Sequence, residues 1–272
     1  MVSNSIIFHS CFSCSKSQPL AMCHPIQHMA SLIFHVGSVA TQLNPFDFFK
    51  LCKVRLVITT CFFSLQLLAK FGVSSCKYVD ILGFEPDYLK TFSKPVRAVV
   101  LTFPLTTKLE EFRNKKTEEQ KGKNLNAEVF YLKQTLENSS GLVALIHTVA
   151  NNKDFVSFAD DSSLKSYIDK SAAASPEERG KLLEKNEVLL SDFKSVAAEG
   201  FVRPDGGDQC HVLVLVPANK HLKEIDGHLE RPIDHGPLSE PFLENAVNVC
   251  KQYTEQAKDE VRFSAVALVK DA

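Results

Sequence analysis

The chain has 272 residues, of which 44% are hydrophobic and 23% are charged, and its formal net charge at pH 7 is -1. This composition is that of a globular protein with room for one large domain or two small ones. The near-neutral charge argues against a general nucleic-acid-binding protein, because such proteins carry an excess of basic residues that neutralises phosphates.

The first 61 residues differ in composition from the rest of the chain. They contain one acidic residue, Asp47, against four basic residues, and they hold five of the eight cysteines. They do not form a typical secretory signal, and the apolar run at 56–69 is shorter than the roughly 20 residues that span a bilayer. We therefore expect no transmembrane helix, and we interpret residues 1–61 as an atypical extension that is disordered or wrongly assigned.

Cysteines and histidines within this extension suggest one alternative, a zinc site. A C-x-x-C pair is half of a tetrahedral thiolate site, but the other ligands match no common spacing, so we expect no metal. This set comprises Cys11, Cys14, Cys23, His24 and His28. The later cysteines lie in periodic apolar stretches and are expected to be buried free thiols: Cys76, Cys210 and Cys250.

Regular secondary structure is predicted from residue 62 onward. An apolar helical face covers 62–71, and a β-branched run at 96–103 predicts a buried strand. The charge-dense stretch 108–123 predicts a solvated helix or loop. The apolar residues of 139–150 cover almost a whole helical circumference, so we expect a central, fully buried helix there.

The second half of the chain continues this alternation. An S-x-x-E capping box at 175–178 predicts a helix that runs to about Leu190. Residues 191–208 have too few regularly spaced apolar positions for a core element and predict a functional or disordered loop. The remaining elements are strands at 211–216, 221–226 and 261–269 and a helix at about 240–258. Strands with helices between them indicate a single α/β (α+β) domain.

The strands at 211–216 and 221–226 are predicted to form a β-hairpin through the four residues between them. If the turn is centred between Ala218 and Asn219, His211 faces Asp226 across the ladder. In such a pair a carboxylate can fix the tautomer and orientation of a catalytic histidine. A purely structural pair is the alternative interpretation, and a one-residue slip in register would break the contact.

A candidate nucleophile lies at the start of the apolar helix. Ser140 and Gly141 stand in its first turn, where free N–H groups and the positive end of the macrodipole favour a developing anion. The side-chain amide of Gln134 and the backbone N–H of Ser140 could supply two donors of an oxyanion hole. Ordinary capping of the helix, through Asn138 or Ser139, is the alternative interpretation.

These segments resemble a known family. Residues 133–154, KQTLENSSGLVALIHTVANNKD, are similar to the nucleophile segment of the ubiquitin C-terminal hydrolases, cysteine proteases of papain-like fold that cleave small adducts from the C-terminus of ubiquitin. The resemblance runs from about Phe62 to the C-terminus. Further motifs keep the family's order: YVDILGFEPDYL at 78–89, KPVRAVVLTFPLT at 94–106, SPEERGKLLEKNE at 175–187, HVLVLV at 211–216, HLKEIDG at 221–227, PIDHG at 232–236 and RFSAVAL at 262–268.

The resemblance implies a papain-like single domain over 62–272, with a mostly antiparallel central sheet flanked by helices and an active-site crossover loop at about 191–208. It implies ubiquitin or a ubiquitin-like protein as the partner, and neither a cofactor nor a metal. It assigns four roles: Ser140 at the nucleophile position, His211 as general base, Asp226 as the carboxylate that orients it, and Gln134 in the oxyanion hole. We also expect a monomer of the cytoplasm and the nucleus, with no nucleic-acid or membrane partner.

Ser140 falls where the family has its nucleophilic cysteine. A thiol at a helix N-terminus beside a histidine has its pKa lowered from about 8.5 to about 3.5–7.5, whereas a serine needs the histidine to remove its proton during attack. Two functions follow, a ubiquitin hydrolase impaired by serine or a catalytically inactive ubiquitin-binding pseudoenzyme. A serine hydrolase of unrelated substrate is a third, although the chain lacks the G-x-S-x-G nucleophile elbow.

Four other histidines are expected to have structural roles. His147 lies on the apolar helix and is predicted to pack in the core. The others flank turns and are predicted to be surface or structural residues: His221, His228 and His235.

Overall fold

The computed structural model describes residues 68–122, 129–200, 210–239, 241–260 and 262–271, with the side chains of 197–200 outside the description. The predictions for the N-terminal extension, including its cysteine and histidine set, therefore lie outside the described residues. Of the helix predicted at 62–71, only the part from residue 68 is described. Residues 68–70 are helical, and Gly72 follows with a φ of 68°.

Strands and helices alternate along the described residues. In chain order they are β1 (Val73–Ser74), β2 (Cys76–Asp80), α1 (Pro86–Leu89), β3 (Val96–Pro104), α2 (Thr107–Glu118), α3 (Ser140–Ala150), β4 (Ser157–Phe158), α4 (Ser163–Lys170), α5 (Pro176–Glu184), α6 (Glu187–Gly200), β5 (Cys210–Ala218), β6 (His221–Ile225), β7 (Ile233–Pro237), α7 (Phe242–Gln256) and β8 (Ser264–Lys270).

Within these described ranges, six strands form one sheet in the order β2-β8-β3-β5-β6-β7. Each neighbouring pair is antiparallel. β1 and β4 form a separate antiparallel pair. The predicted antiparallel central sheet is confirmed, and so are the strands expected at 96–103, 211–216, 221–226 and 261–269, with ends that differ by at most three residues.

Both faces of the sheet are buried. Alternate residues of β5 belong to different core clusters: Val214 packs in the cluster that includes α3, and Leu213 in the cluster that includes α7. This is why the apolar run at 211–216 shows no alternation with polar residues. All side chains of α3 from Leu142 to Val149 are buried, which confirms the prediction of a central buried helix.

The stretch 108–123 was predicted to be a solvated helix or loop. It contains the helix α2, but one face of this helix is not solvated. α2 buries Leu109, Arg113 and Thr117, which are spaced four residues apart and therefore lie on one face. Two of these three side chains are polar, so hydrophobic periodicity could not reveal that the face is buried. Arg113 becomes important for the site described below.

The capping-box helix begins as predicted but ends earlier. The Ser175 hydroxyl accepts the N–H of Glu178, and the Glu178 carboxylate accepts the N–H of Ser175. The predicted end near Leu190 is wrong because α5 stops at Glu184 and α6 begins after it. The Asn186 side chain accepts the N–H of Leu189 at 3.2 Å, and this contact starts the second helix.

The loop predicted from residue 191 is wrong as far as residue 200, since this part lies in α6. Leu189, Phe193 and Val196 pack against the core that includes α3. Their spacing of four and then three residues is helical, but the polar residues between them hid the pattern. Residues 201–208, the rest of the predicted crossover loop, lie outside the described residues.

The hairpin between β5 and β6 has a register different from the predicted one. Val214 pairs with Ile225 and Ala218 pairs with His221, so the loop contains two residues rather than four. Asn219 and Lys220 have φ values of 50° and 63°, the left-handed pair that a two-residue type I′ turn requires. The pairing is therefore shifted by two residues, and because the shift is even, each side chain stays on its predicted face.

The turn gives a first prediction. Lys220 has a positive φ, which penalises a residue with a Cβ, so Lys220→Gly should raise the free energy of unfolding by about 0.5–1 kcal/mol. Urea denaturation would measure the change. Lys220→Ala is the matched control, because it removes the same side chain but keeps the Cβ. Equal stabilities of the two variants would contradict the role of backbone conformation.

His147 is a buried core residue, as predicted. It is 1% exposed, and its Nε2 accepts the N–H of Leu132 at 3.1 Å. Burial lowers the pKa of His147 to about 3. The ordinary value is about 6.5, so below that pH the unfolded chain binds a proton that the folded chain does not.

This difference predicts a pH-dependent stability. The contribution of neutral His147 to the free energy of unfolding is fully present above about pH 6.5. It falls by about 1.4 kcal/mol per pH unit as the pH drops toward 3. His147→Gln keeps an acceptor for Leu132 but does not titrate, so its loss of stability between pH 7 and pH 5 should be smaller by about 2 kcal/mol. Urea denaturation at both pH values tests this, and an identical loss in both proteins would refute it.

Candidate active site

His211 and Asp226 are in direct contact. Both residues are 1% exposed, and His211 Nε2 lies 2.6 Å from Asp226 Oδ1. The predicted contact is therefore present, although the register makes it a diagonal contact rather than a directly opposed pair. Because Asp226 occupies Nε2, Nδ1 is the ring nitrogen left for a nucleophile or substrate.

A third buried side chain joins the pair. Arg113, on α2, forms an ion pair with Asp226 Oδ2 and is itself 4% exposed. The guanidinium also lies 5.3 Å from the centre of the Phe103 ring, which packs edge-on to His211. Asp226 is thus held by a histidine on one oxygen and by an arginine on the other.

These contacts decide the charge of Asp226. Burial alone would raise the pKa of its carboxyl group. The charge and hydrogen bond of His211, the charge of Arg113 and the N–H of His228 together hold that pKa well below its usual range. Asp226 is therefore ionised at neutral pH and can orient His211 and stabilise its protonated form.

The chain directly after Asp226 contacts the oxyanion-hole candidate. Gly227 accepts the backbone N–H of Gln134 at 2.9 Å. A Cβ on Gly227 would lie 2.9 Å from Gln134 Cβ and 3.0 Å from Val143 Cγ1, so no side chain fits there. Glycine at this position lets the turn after Asp226 pack directly on the Gln134 segment and on α3.

Gln134 ends a segment, residues 130–134, that is held mainly by contacts outside the sheet. The backbone N–H and C=O groups of this segment form hydrogen bonds with Asn151, Arg179, His147 and Pro176, at distances of 2.7–3.1 Å. The Gln134 amide donates to the carbonyl of Leu136 at 3.1 Å, and its second amide hydrogen remains for another acceptor. The fold thus fixes the backbone of this glutamine while leaving a donor available.

Ser140 is the first residue of α3 and is partly buried. The N-cap is Ser139, one of the two predicted capping residues, but its hydroxyl donates to the Leu136 carbonyl at 2.7 Å and does not cap the helix. The first N–H groups of α3 thus have no side-chain cap. Among the described residues, no hydrogen bond joins the Ser140 hydroxyl to His211.

The described cysteines do not replace the missing thiol. Burial raises the pKa of Cys76 to about 11 and that of Cys250 to about 12, so both are unreactive, as predicted for buried thiols. The prediction that Cys210 is also buried is wrong, because this residue is only partly buried. It precedes His211 on β5, and successive strand residues point to opposite faces.

Two residues at this site were not predicted from sequence. Arg113 lay in a stretch that was interpreted as solvated, and no sequence signal marks its contact with a residue 113 positions away. The His228 ring stacks on the His211 ring with centroids 4.0 Å apart. The observed register of the β5–β6 hairpin would have indicated this contact. When its pairing is extended beyond Val214, residue 228 lies opposite His211.

In the part of the chain that the structure describes, no group of three or more His, Cys, Asp or Glu residues is placed to hold a metal ion. In the same ranges no helix is both long and apolar enough to cross a membrane.

The buried ion pair gives a prediction for stability. Arg113→Met leaves the Asp226 charge without its arginine partner, which should lower the free energy of unfolding by about 3–5 kcal/mol. Arg97→Met is the control, because the Arg97–Asp154 pair is exposed and should contribute about 0–1 kcal/mol. Urea denaturation would compare them, and equal losses would show that Arg113 does not hold a buried charge.

Comparisons with known proteins show which family the chain belongs to. Residues 62–255 match the sequence profile of the ubiquitin carboxyl-terminal hydrolase family 1. Ubiquitin carboxyl-terminal hydrolase isozyme L1 of Monodelphis domestica is 44% identical over 209 residues, which cover 76% of this chain and 94% of that protein. The isozyme L1 of Homo sapiens is 42% identical over the same lengths.

A solved structure shows the same fold. The UCH37 catalytic domain of Trichinella spiralis, bound to ubiquitin vinyl methyl ester, superposes with a TM-score of 0.63 at 18% identity. The superposition covers 78% of this chain and 93% of that domain. By sequence profile and by the identity of its relatives, the chain belongs to the ubiquitin carboxyl-terminal hydrolase family 1.

Proposed function

We propose that residues 62–272 form a ubiquitin-binding hydrolase domain that cleaves small adducts or peptides from the C-terminal glycine of ubiquitin, with turnover limited by serine at position 140. In this proposal Ser140 holds the nucleophile position, His211 is the general base, Asp226 orients it and Gln134 supplies an oxyanion-hole donor. The family membership and the activity for which the relatives are named support the reaction class.

One observation supports the proposal above the others. The His211–Asp226 hydrogen bond is buried, and Arg113 holds the carboxylate from its other side. An ionised carboxylate that is removed from water and bonded to a single histidine is the arrangement that a general base needs. The turn after Asp226 contacts the Gln134 backbone, so base and oxyanion donor belong to one connected structure.

Serine at position 140 slows one step of the proposed reaction, the attack of the nucleophile on the substrate. With a thiol, a thiolate and an imidazolium can form before the substrate arrives, whereas a hydroxyl must lose its proton during the attack. The shorter C–O bond also withdraws the attacking atom, and a misplacement of about 1 Å can lower the rate roughly a hundredfold. The uncapped first turn of α3 can stabilise an anion but cannot ionise a hydroxyl at neutral pH.

The second function, a ubiquitin-binding protein without turnover, rests on a different observation. The Ser140 hydroxyl has no hydrogen bond to His211 among the described residues, so the base does not activate it in this structure. Catalytic hydrogen bonds often shorten only when substrate binds. Measured turnover is therefore needed to distinguish the two functions.

The test compares three proteins: the unsubstituted chain, Ser140→Cys and Ser140→Ala. The substrate is ubiquitin that carries a fluorogenic group at its C-terminus. We expect Ser140→Cys to raise kcat/KM by at least about a hundredfold, because it restores a nucleophile that ionises. Ubiquitin binding, measured separately by calorimetry, should be similar in all three.

The Ser140→Ala control separates the two functions. Turnover by the original chain above that of Ser140→Ala indicates weak serine-dependent hydrolysis, and equal turnover indicates a binding protein. If Ser140→Cys binds ubiquitin but is no faster than Ser140→Ala, the proposed catalytic roles are wrong. If no variant binds ubiquitin, the proposed partner is wrong.

A further inference from the structure

His228 covers the candidate general base. The planes of the His228 and His211 rings are inclined by 21°, with their centroids 4.0 Å apart, so the rings are stacked face to face. His211 is 1% exposed, whereas His228 is only partly covered and reaches solvent. The outer ring thus lies between the inner ring and solvent, and the two contact through their faces rather than through a hydrogen bond.

The backbone places His228 there. Its N–H donates to Asp226 Oδ1 at 2.9 Å, the same oxygen that contacts His211 Nε2. Leu229 donates its N–H to the Asp226 carbonyl at 3.1 Å, which closes the turn. Because Gly227 is packed against Gln134 and Val143, this turn has little freedom to move. One turn therefore carries the orienting carboxylate and the stacked ring.

Two contacts besides the hydrogen bond restrict the plane of the His211 ring. Phe103 packs edge-on to it, with centroids 5.6 Å apart and planes at 89°, and His228 packs on its face. A single hydrogen bond to Asp226 would let the ring rock about that bond. The stacked ring limits this rotation and keeps Nδ1 in one direction.

The charge of His228 also matters at this distance. Partial burial and then repulsion from His211 lower the pKa of His228, Asp226 opposes this shift, and Arg113 and Lys133 add to it. His228 is therefore uncharged at neutral pH. A neutral ring allows its stacked partner to accept a proton, whereas a cation in the same place would oppose that step.

We propose that His228 is a positioning residue of this site, whose neutral ring fixes the orientation of His211 and lets it become an imidazolium during catalysis. The inference rests on the proposed function of His211 as general base. His228 itself donates no proton and forms no bond to the substrate in this scheme. Its effect should therefore appear in kcat and in the pH profile rather than in substrate binding.

The kinetic test uses the Ser140→Cys chain with three substitutions at position 228. We expect His228→Ala to lower kcat on the order of tenfold with little change in KM, because the His211 ring loses its support. His228→Phe restores a stacked neutral ring and should rescue most of that loss. His228→Arg places a fixed cation there and should move the alkaline limb of the kcat/KM profile to lower pH. Glu230→Ala, at an exposed position nearby, is the control and should change none of these values.

A second readout does not depend on ubiquitin. In the unsubstituted chain, the NMR signals of the His211 ring protons should carry a ring-current shift from His228. This shift should disappear in His228→Ala and persist in His228→Phe. Loss of the shift together with the kinetic pattern supports the proposal. If Ala and Phe give equal kcat values, or if Arg leaves the pH profile unmoved, the proposal is wrong.

The two readouts distinguish this proposal from the proposed function. If Ser140→Cys shows no hydrolysis, the proposed function fails, and the NMR comparison alone then decides whether the two rings are stacked in solution, which the positioning role requires. An unchanged His211 spectrum in His228→Ala would overturn the positioning role whatever the activity.

Discussion

The structure depends on one buried negative charge, the carboxylate of Asp226. Removing an ionised carboxylate from water costs several kcal/mol unless other groups compensate it. Here Arg113 from α2, His211 from β5 and the backbone N–H of His228 provide that compensation. Each partner comes from a different part of the fold, so the requirement of a single charge fixes a helix, a strand and a turn relative to one another.

The same charge organises the candidate chemistry. Asp226 determines which nitrogen of His211 is free, and the turn that follows it places His228 over the His211 ring and Gly227 against Gln134. The α3 helix, which begins at Ser140, packs on this turn through Val143. In the proposed function, the base, its orienting group, the oxyanion donor and the nucleophile position are all built around this one carboxylate. Under the same proposal, serine changes only the attacking atom, so a single substitution at position 140 should separate binding from turnover.

Much of the fold could be predicted from the sequence because it rests on local patterns. The buried α3, the start of α5 and four strands of the central sheet (β3, β5, β6 and β8) follow from apolar periodicity and a capping box. The predictions failed where polar residues are buried. The face of α2 that carries Arg113 has no apolar pattern, and strand β7, with the sequence IDHGP, has little. The extent of α6 was missed because its three core residues are separated by polar ones.

The candidate site shows the same division. Its four residues were assigned from a hairpin, a helix N-terminus and a family resemblance, and the structure places His211 against Asp226 even though the turn differs from the predicted one. The stacking of His228 on His211 depends on strand register, and the ion pair of Arg113 with Asp226 depends on long-range packing. No single segment of the sequence encodes either contact.

The most direct test of a site built around Asp226 is the rate at which iodoacetamide alkylates the thiol in Ser140→Cys as a function of pH, followed by mass spectrometry of the peptide that contains position 140. If Asp226 and His211 hold a thiolate, alkylation is fast well below pH 7. If the rate rises only near the ordinary thiol pKa of about 8.5, the site does not stabilise a thiolate and this view of Asp226 is wrong.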